Sequence, residues 1–290
     1  MRYDIRLTID YRYQAASDHV RNLLRLLPSD GPNQRVSARL LTISPPPDER
    51  RDDVDFFGNA TVAVAWHQPI DTITLQLRAQ AERRTQPLVD LSPGLDAVLA
   101  QAGQGGIGAT APLHFLAPSP RITPDPGITA FTRATMAPEI SARAAVEAVG
   151  RALHKAMTYD AEATEVTTTP LEAFTLRRGV CQDFAQIMIA GLRAVGLPAA
   201  YVSGFLRTYP PKGQPRLEGV DAMHAWVAVW CGAAPGWVEY DPTNAQWAGE
   251  DYITVAMGRD YADVAPVKGA IRTAGGQDST QAVDVIPLEG

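Results

Sequence analysis

The run Leu176-Arg177-Arg178-Gly179-Val180-Cys181-Gln182-Asp183-Phe184-Ala185-Gln186-Ile187-Met188-Ile189-Ala190-Gly191-Leu192-Arg193-Ala194-Val195 carries the pattern of a packed helix. Its apolar residues Phe184, Ile187, Met188, Gly191, Leu192 and Val195 recur at helical spacing and mark one buried face. Gly179 breaks any helix arriving from its left, and Gly196-Leu197-Pro198 ends this one on its right. Cys181 therefore falls in the first turn. Free backbone N–H groups and the positive end of the helix dipole favour a thiolate there, and the thiolate is the nucleophilic form of cysteine. The competing reading makes Cys181 a small buried hydrophobe.

Composition narrows the classes open to the chain. Its 290 residues suffice for two domains. A hydrophobic content of 46% with 20% charged residues describes an ordinary globular protein. The net charge of −6 leaves no basic footprint, which argues against nucleic acid and anionic membranes as partners. No apolar run approaches the ~18 residues of a membrane span. The first residues alternate charged and apolar side chains and lack the apolar core of a signal peptide, so the cytoplasm is the expected compartment. Two cysteines make no disulfide framework, and Cys231, ending a strand-like run, is expected to pack. The five histidines show no zinc spacing and there is no calcium loop of alternating carboxylates, so neither metal nor cofactor is expected.

Upstream, residues 2–13 alternate strictly, with Tyr3, Ile5, Leu7, Ile9, Tyr11 and Tyr13 on one face: a half-buried strand. Further strands are predicted at 20–27, 36–43, 60–66 and 70–79, with a loop from Pro45 to Asp55 and a hairpin turn at Gly58-Asn59. This predicts an N-terminal antiparallel β-sandwich over 1–85 without a reaction constellation of its own. Residues 86–137 are rich in Pro, Gly and Ala and read as a connector; the glycines at 103–108 lack dinucleotide-loop spacing. A core over 138–268 opens with a helix predicted from Glu139 to Met157, His154 being a solvated residue near its end. Thr169-Pro170-Leu171-Glu172 matches a capping box and starts a short helix ending at Gly179. Strands are predicted at 199–206, 222–230 and 237–240. The tail 269–290 reads as a turn to Gly276 and a possible last strand at 281–287. The fold class is thus α+β.

Cys181 at a helix start, His224 on one strand and Asp241 at the end of the next form an ordered set. Imidazole holds and returns a thiol proton near neutral pH, and a carboxylate fixes the imidazole's tautomer and steadies its charged form. Neighbouring antiparallel strands with a short connection bring such a pair together. Singly, His224 also reads as a satisfied histidine beside an apolar strand, and Asp241 as an Asp-Pro turn.

The blocks Arg178-Gly179-Val180-Cys181-Gln182-Asp183-Phe184-Ala185, Leu192-Arg193-Ala194-Val195-Gly196-Leu197-Pro198, Tyr201-Val202-Ser203-Gly204-Phe205, His224-Ala225-Trp226 and Asp241-Pro242-Thr243-Asn244 together resemble the core of the transglutaminase-like superfamily. More narrowly, the chain resembles a bacterial branch described as cysteine proteases. That branch has an N-terminal β domain and a late Gly-Arg-Asp-Tyr-x-Asp-Val-x-Pro segment, matched here by Gly258-Arg259-Asp260-Tyr261-Ala262-Asp263-Val264-Ala265-Pro266. The likeness covers nearly the whole chain. It implies a papain-like core, a nucleophile helix on an antiparallel sheet, with Cys181 as nucleophile, His224 as general acid/base and Asp241 as its orienting partner.

An oxyanion contact from the Cys181 N–H follows from its helix-start position. Animal members of the superfamily add a tryptophan donor upstream of the cysteine; none lies between Trp66 and Trp226 here, and Tyr159 is the aromatic hydroxyl singled out instead. Gln182 and Asp183 are read as helix caps or substrate contacts, Trp226 and Trp237 as sheet packing or cleft wall, and Arg259, Asp260 and Tyr261 as a loop lining or bracing the site. The expected activity is cysteine-dependent hydrolysis of an amide or peptide, or acyl transfer, through a thioester. The expected partner is a peptide, protein or carboxamide, with self-association through sheet edges open. Two alternatives remain at this level: an arylamine N-acetyltransferase-like enzyme, for which no basic CoA-binding cluster is visible, and a non-catalytic binding module on the same fold.

Overall fold

A computed structural model describes residues 1–85, 89–209, 218–219, 221–272 and 275–288. The N-terminal region consists of strands β1 (Arg2–Leu24), β2 (Gln34–Ser44), β3 (Glu49–Val54), β4 (Ala60–Trp66) and β5 (Ile70–Arg83), all paired antiparallel. The sequence pattern breaks after Tyr13 and predicts a second strand from Val20. The chain instead keeps one strand through the polar segment 14–19. Its register against β5 shifts between Arg12 and Ser17, and His19 takes a φ of 52°. A bulge of this kind bends a strand without ending it. The first half of β1 pairs with β5 and the second half with β4, so one strand serves two ladders.

The charged stretch read as a loop is in fact β3. Every residue of it is exposed, and Arg50 pairs with Asp52 along the strand at 3.0 Å. It lies at the edge of the sheet, where charge blocks edge-to-edge association and no buried face imposes alternation. The turn at Gly58-Asn59 joins β3 to β4, with Gly58 at φ 86°.

The Pro/Gly-rich segment carries α1 (Leu95–Ala102), a 3-10 turn (Pro112–Phe115) and α2 (Pro126–Ala134), whose first turn is capped by the Asp125 carboxylate accepting the Ile128 N–H at 2.8 Å. Next comes α3 (Ala142–Ala156). It starts later than the sequence predicts: Glu139 sits at φ 57°, outside helical space, and Ser141 supplies the cap. Strand β6 (Thr158–Tyr159), helix α4 (Pro170–Leu176), strand β7 (Arg178–Gly179) and helix α5 (Cys181–Ala194) follow. Helices α2, α3 and α4 surround α5. This explains why residues 182–193 are buried all round, where apolar periodicity alone predicts one buried face.

Beneath α5 lies an antiparallel sheet of β8 (Ala199–Leu206), β9 (Ala222–Trp230), β10 (Trp237–Asp241), β11 (Gln246–Trp247) and β12 (Tyr252–Gly258), in the order β11-β10-β9-β8-β12. Helix α6 (Tyr261–Val264) packs on β12 and β8. The architecture is α+β, with an N-terminal β region and a core in which a central helix packs on an antiparallel sheet. No helix among the described residues is long and apolar enough to cross a membrane.

The chain then returns to its beginning. Strand β13 (Val267–Arg272) pairs with the second half of β1, and β14 (Gln277–Leu288) with the first half. Residues 269–272, read as a turn, are strand, and the last strand is longer than its apolar alternation indicated; Thr273 and Ala274 lie outside the described residues. Two side chains bolt the regions together through backbone groups. Gln34 bonds the N–H (2.8 Å) and C=O (2.7 Å) of Thr254, and Asn59 does the same for Met257 (2.8 Å each). The N-terminal sheet is thereby held against the core.

Candidate active site

The start of α5 is shaped by the residues before it. Helix α4 carries the reciprocal Thr169–Glu172 capping box and stops at Arg177, which adopts φ 57°. Two extended residues, paired in parallel with β6, then lead to Val180 and to Cys181 as the first helical residue. The Asp183 carboxylate folds back to accept the Val180 N–H at 2.8 Å and the Thr164 hydroxyl at 2.6 Å. A Cβ on residue 179 would lie 2.5 Å from that oxygen, so glycine is required for this cap. Burial pushes the Asp183 carboxyl above its ordinary pKa, against the pull of both hydrogen bonds. Asp183 thus caps the helix start and is not among the residues lining the cleft.

Cys181 is half-buried and opens onto a cleft of about 520 Å³. His224, from the start of β9, lies on the same cleft and is only 9% exposed. Its Nε2 stands 2.7 Å from Oδ2 of Asp241 at the end of β10. With Nε2–H donating to the carboxylate, Nδ1 is the nitrogen left available to Cys181 across the cleft. Burial opposes charging of the ring, but hydrogen bonds to Asp241 and Cys181 and their negative charge outweigh it and raise the His224 pKa to about 10.

Asp241 is fully buried and densely solvated by the protein. Oδ1 accepts the Thr243 N–H at 2.8 Å and the Asn244 N–H at 3.2 Å. Oδ2 accepts the Asn244 side chain at 2.6 Å and the Tyr252 hydroxyl at 2.7 Å, in addition to His224. Burial alone would raise this carboxyl; the donors, His224 first among them, hold it below the usual range. Tyr252 begins β12 and lies on the His224 face of the sheet, its hydroxyl in turn accepting from Gln246 at 2.7 Å. His154, read as solvated, reaches from α3 to the Thr243 carbonyl at 2.8 Å and braces the same turn.

The remaining sequence candidates divide by position. Gln182 and Tyr261 line the cleft; the Gln182 amide donates to the Val166 carbonyl at 3.1 Å, and the Tyr261 ring stands edge-on to Tyr201. Tyr159 is 58% exposed on β6 and lies outside the cleft wall, although burial of its ring and then the nearby Cys181 raise its phenol pKa. Trp226 is fully buried behind His224, its indole N–H donating to Glu239 at 2.8 Å, so it packs the sheet and does not wall the cleft. Trp237 packs edge-on against Phe115. Arg259 faces away, held by both oxygens of Asp263 at 2.8 and 3.0 Å, and Asp260 caps α6. Cys231 is fully buried, and burial pushes its thiol up to about 12.

Nothing local in the sequence marks Tyr252 or the N-terminal sheet as part of the site, although the strands of that sheet are themselves legible there. The far wall of the cleft is formed by Ile9 and Tyr11 of β1 and by Ser279, Thr280 and Gln281 of β14. Pairing across some 270 residues of chain creates that wall, and no motif marks it.

Comparison with known proteins places these features in a family. Residues 129–242 match the family model of the transglutaminase-like superfamily, and residues 3–82 match that of the bacterial transglutaminase-like N-terminal region. Uncharacterized proteins of Mycobacterium tuberculosis and Mycobacterium bovis are each 36% identical over 301 residues, covering 100% of this chain and 94% of theirs. The crystal structure of a "putative cysteine protease" from Cytophaga hutchinsonii superposes with a TM-score of 0.75 at 21% identity, covering 100% of this chain and 91% of that one, a likeness of fold. The chain belongs to the transglutaminase-like superfamily, with the N-terminal region of its bacterial members.

Proposed function

We propose that this protein is a cysteine-dependent amide or peptide hydrolase that works through a thioester, with Cys181 as nucleophile, His224 as general acid/base and Asp241 as the group that orients His224. The observation that carries this reading is the arrangement at the cleft: Asp241 2.7 Å from His224 Nε2, and His224 lining the same cleft as Cys181, whose proximity raises the imidazole pKa. An imidazolium beside the sulfur is the arrangement in which cysteine attacks as its anion. Sγ of Cys181 adds to the substrate carbonyl carbon. The oxygen takes up the negative charge beside the Cys181 N–H, which at a helix start has no intrahelical acceptor. His224 then gives its proton to the departing amine, the C–N bond breaks, and a thioester remains.

In the second half, neutral His224 removes a proton from the acceptor, which attacks the thioester and releases Cys181. Water is the acceptor we assign, since among the described residues the cleft walls present no second-substrate apparatus; an amine would turn the same chemistry into acyl transfer. The dense donor set on Asp241 keeps it ionised throughout, so it steadies the imidazolium without taking its proton.

A library of peptides and carboxamides, incubated with wild-type protein and with Cys181→Ala, tests this. Products absent from the variant are expected, and their masses separate hydrolysis from amine transfer. Equal behaviour of both proteins on every substrate would remove the enzyme reading.

A further inference from the structure

From the free edge of β14 beside Cys181, we infer that the substrate is an extended polypeptide segment, bound by adding a strand to that edge. The inference rests on the proposed role of Cys181 and goes further, to the class of substrate and how it is held.

One side of β14 is paired with β1 without interruption from Gln277 to Leu288. The other side is met at one point. The N–H of Asp221 donates to the Val283 carbonyl at 3.1 Å, and the Val285 N–H donates to the Asp221 carboxylate at 2.6 Å. The main-chain groups of 283 and 285 therefore point away from β1. In a strand this direction alternates with every residue, so those of Gln277, Ser279 and Gln281 point away as well. The Gln14 N–H bonding the Gly276 carbonyl at 3.0 Å fits the complementary set, which points inward.

Among the described residues, nothing pairs with the outward groups of 277–281, and all five residues are exposed. After bridging β14 at Asp221, the chain turns away: Ala222 opens β9, which pairs with β8 in the core sheet. A wedge opens between β14 and β9, and it is the cleft that holds Cys181 and His224. A peptide laid along 277–281 would take the position β9 vacates. Its main chain would meet a row of unused N–H and C=O groups, and its carbonyls would be led toward the sulfur. Along β14 itself the wall is the polar run Ser279, Thr280 and Gln281, so contacts to this strand fall on the main chain. A small free carboxamide has no such strand to add.

The test compares two alkylating probes on Cys181 in the full chain: iodoacetamide, which needs no edge, and an acetyl-tetrapeptidyl chloromethyl ketone, which forms the same C–S bond with loss of chloride. Ser279→Pro removes one outward N–H and leaves the β1 ladder intact, a change edge strands accept. It is expected to lower the peptidyl rate about fivefold or more, the worth of a main-chain hydrogen bond, while the iodoacetamide rate holds. Gln281→Pro is a second such variant. A third arm uses wild-type protein only: N-methylation of the probe at successive residues should slow it at alternate positions. The inference falls if neither variant separates the two rates and the N-methyl scan shows no alternation. It also falls if 277–281 pairs a second copy of the chain, seen as a dimer that Ser279→Pro dissociates with the peptidyl rate unchanged. If Cys181 is inert to iodoacetamide, the hydrolase reading falls with it; if it reacts and only the peptide dependence is missing, that reading stands.

Discussion

The protein has two cysteines, and their surroundings differ in every respect that governs a thiol. Cys231 follows β9 at the end remote from His224, has no exposed surface, and is held protonated by burial, its pKa pushed up to about 12. Cys181 is half-buried at the mouth of α5 and opens to a cleft that His224 also lines. The same side chain is sealed in the interior in one place and opens to a cleft beside an imidazole in the other. The difference lies in the backbone that delivers it: a strand running into the core, or a glycine-gated entrance to a helix. Burial shields one sulfur; the other faces a cleft shared with His224, whose ring is held by Asp241.

The largest expected effect is the loss of the poised thiol. Cys181→Ala should reduce turnover by on the order of 10⁴-fold or more, read as kcat on any substrate the library identifies. Next is the orienting carboxylate. Asp241→Asn keeps the shape of the site but removes the charge that steadies the imidazolium, so a fall in kcat of roughly 10²–10⁴-fold is expected. Tyr252→Phe removes only one of the five donors on Asp241 and should cost about tenfold or less.

A pH series sharpens the contrast further. The folded-state pKa of His224 is raised from 6.5 to about 10. A raised pKa means that the native state binds the proton more tightly than the unfolded chain does. The resulting stability is complete below the unfolded value and is lost as pH rises through the folded one. Denaturant titrations should therefore show wild-type stability falling between pH 6.5 and 10 relative to His224→Gln. Turnover should fall over the upper part of the same window, because the leaving amine takes its proton from the imidazolium. The smallest effect on activity belongs to Cys231→Ser: turnover stays at the wild-type level, while a hydroxyl placed in an apolar site lowers stability by about 1–2 kcal/mol in the same titrations.

Much of this organisation is legible in the residues. The periodicity of α5, the Thr169–Glu172 capping box and the two strands ending near His224 and Asp241 are local patterns, each set by neighbours within a few positions. What escaped was fixed from afar. Strand β1 reads as two strands because its polar middle breaks the alternation, while its partners on both sides keep it extended. Strand β3 has no buried face to impose a period. Helix α2 hides in a Pro/Gly-rich segment, although Asp125-Pro126 is a capping signal of the same kind as Thr169-Pro170. Tyr252 reaches Asp241 across the face of a sheet, and nothing in residues 252–258 distinguishes it from an ordinary strand tyrosine. The N-terminal domain has no reaction constellation in its sequence, yet its sheet walls the cleft, because closure depends on pairing between the two ends of the chain.

The most direct test of the relay is the rate at which iodoacetamide alkylates each cysteine near neutral pH, resolved by peptide mass in wild-type protein and in His224→Ala. The account predicts rapid labelling at Cys181 in the wild type, a loss of at least about tenfold when the imidazole is removed, and Cys231 unlabelled in both folded proteins. Equal labelling of Cys181 with and without His224 would contradict it.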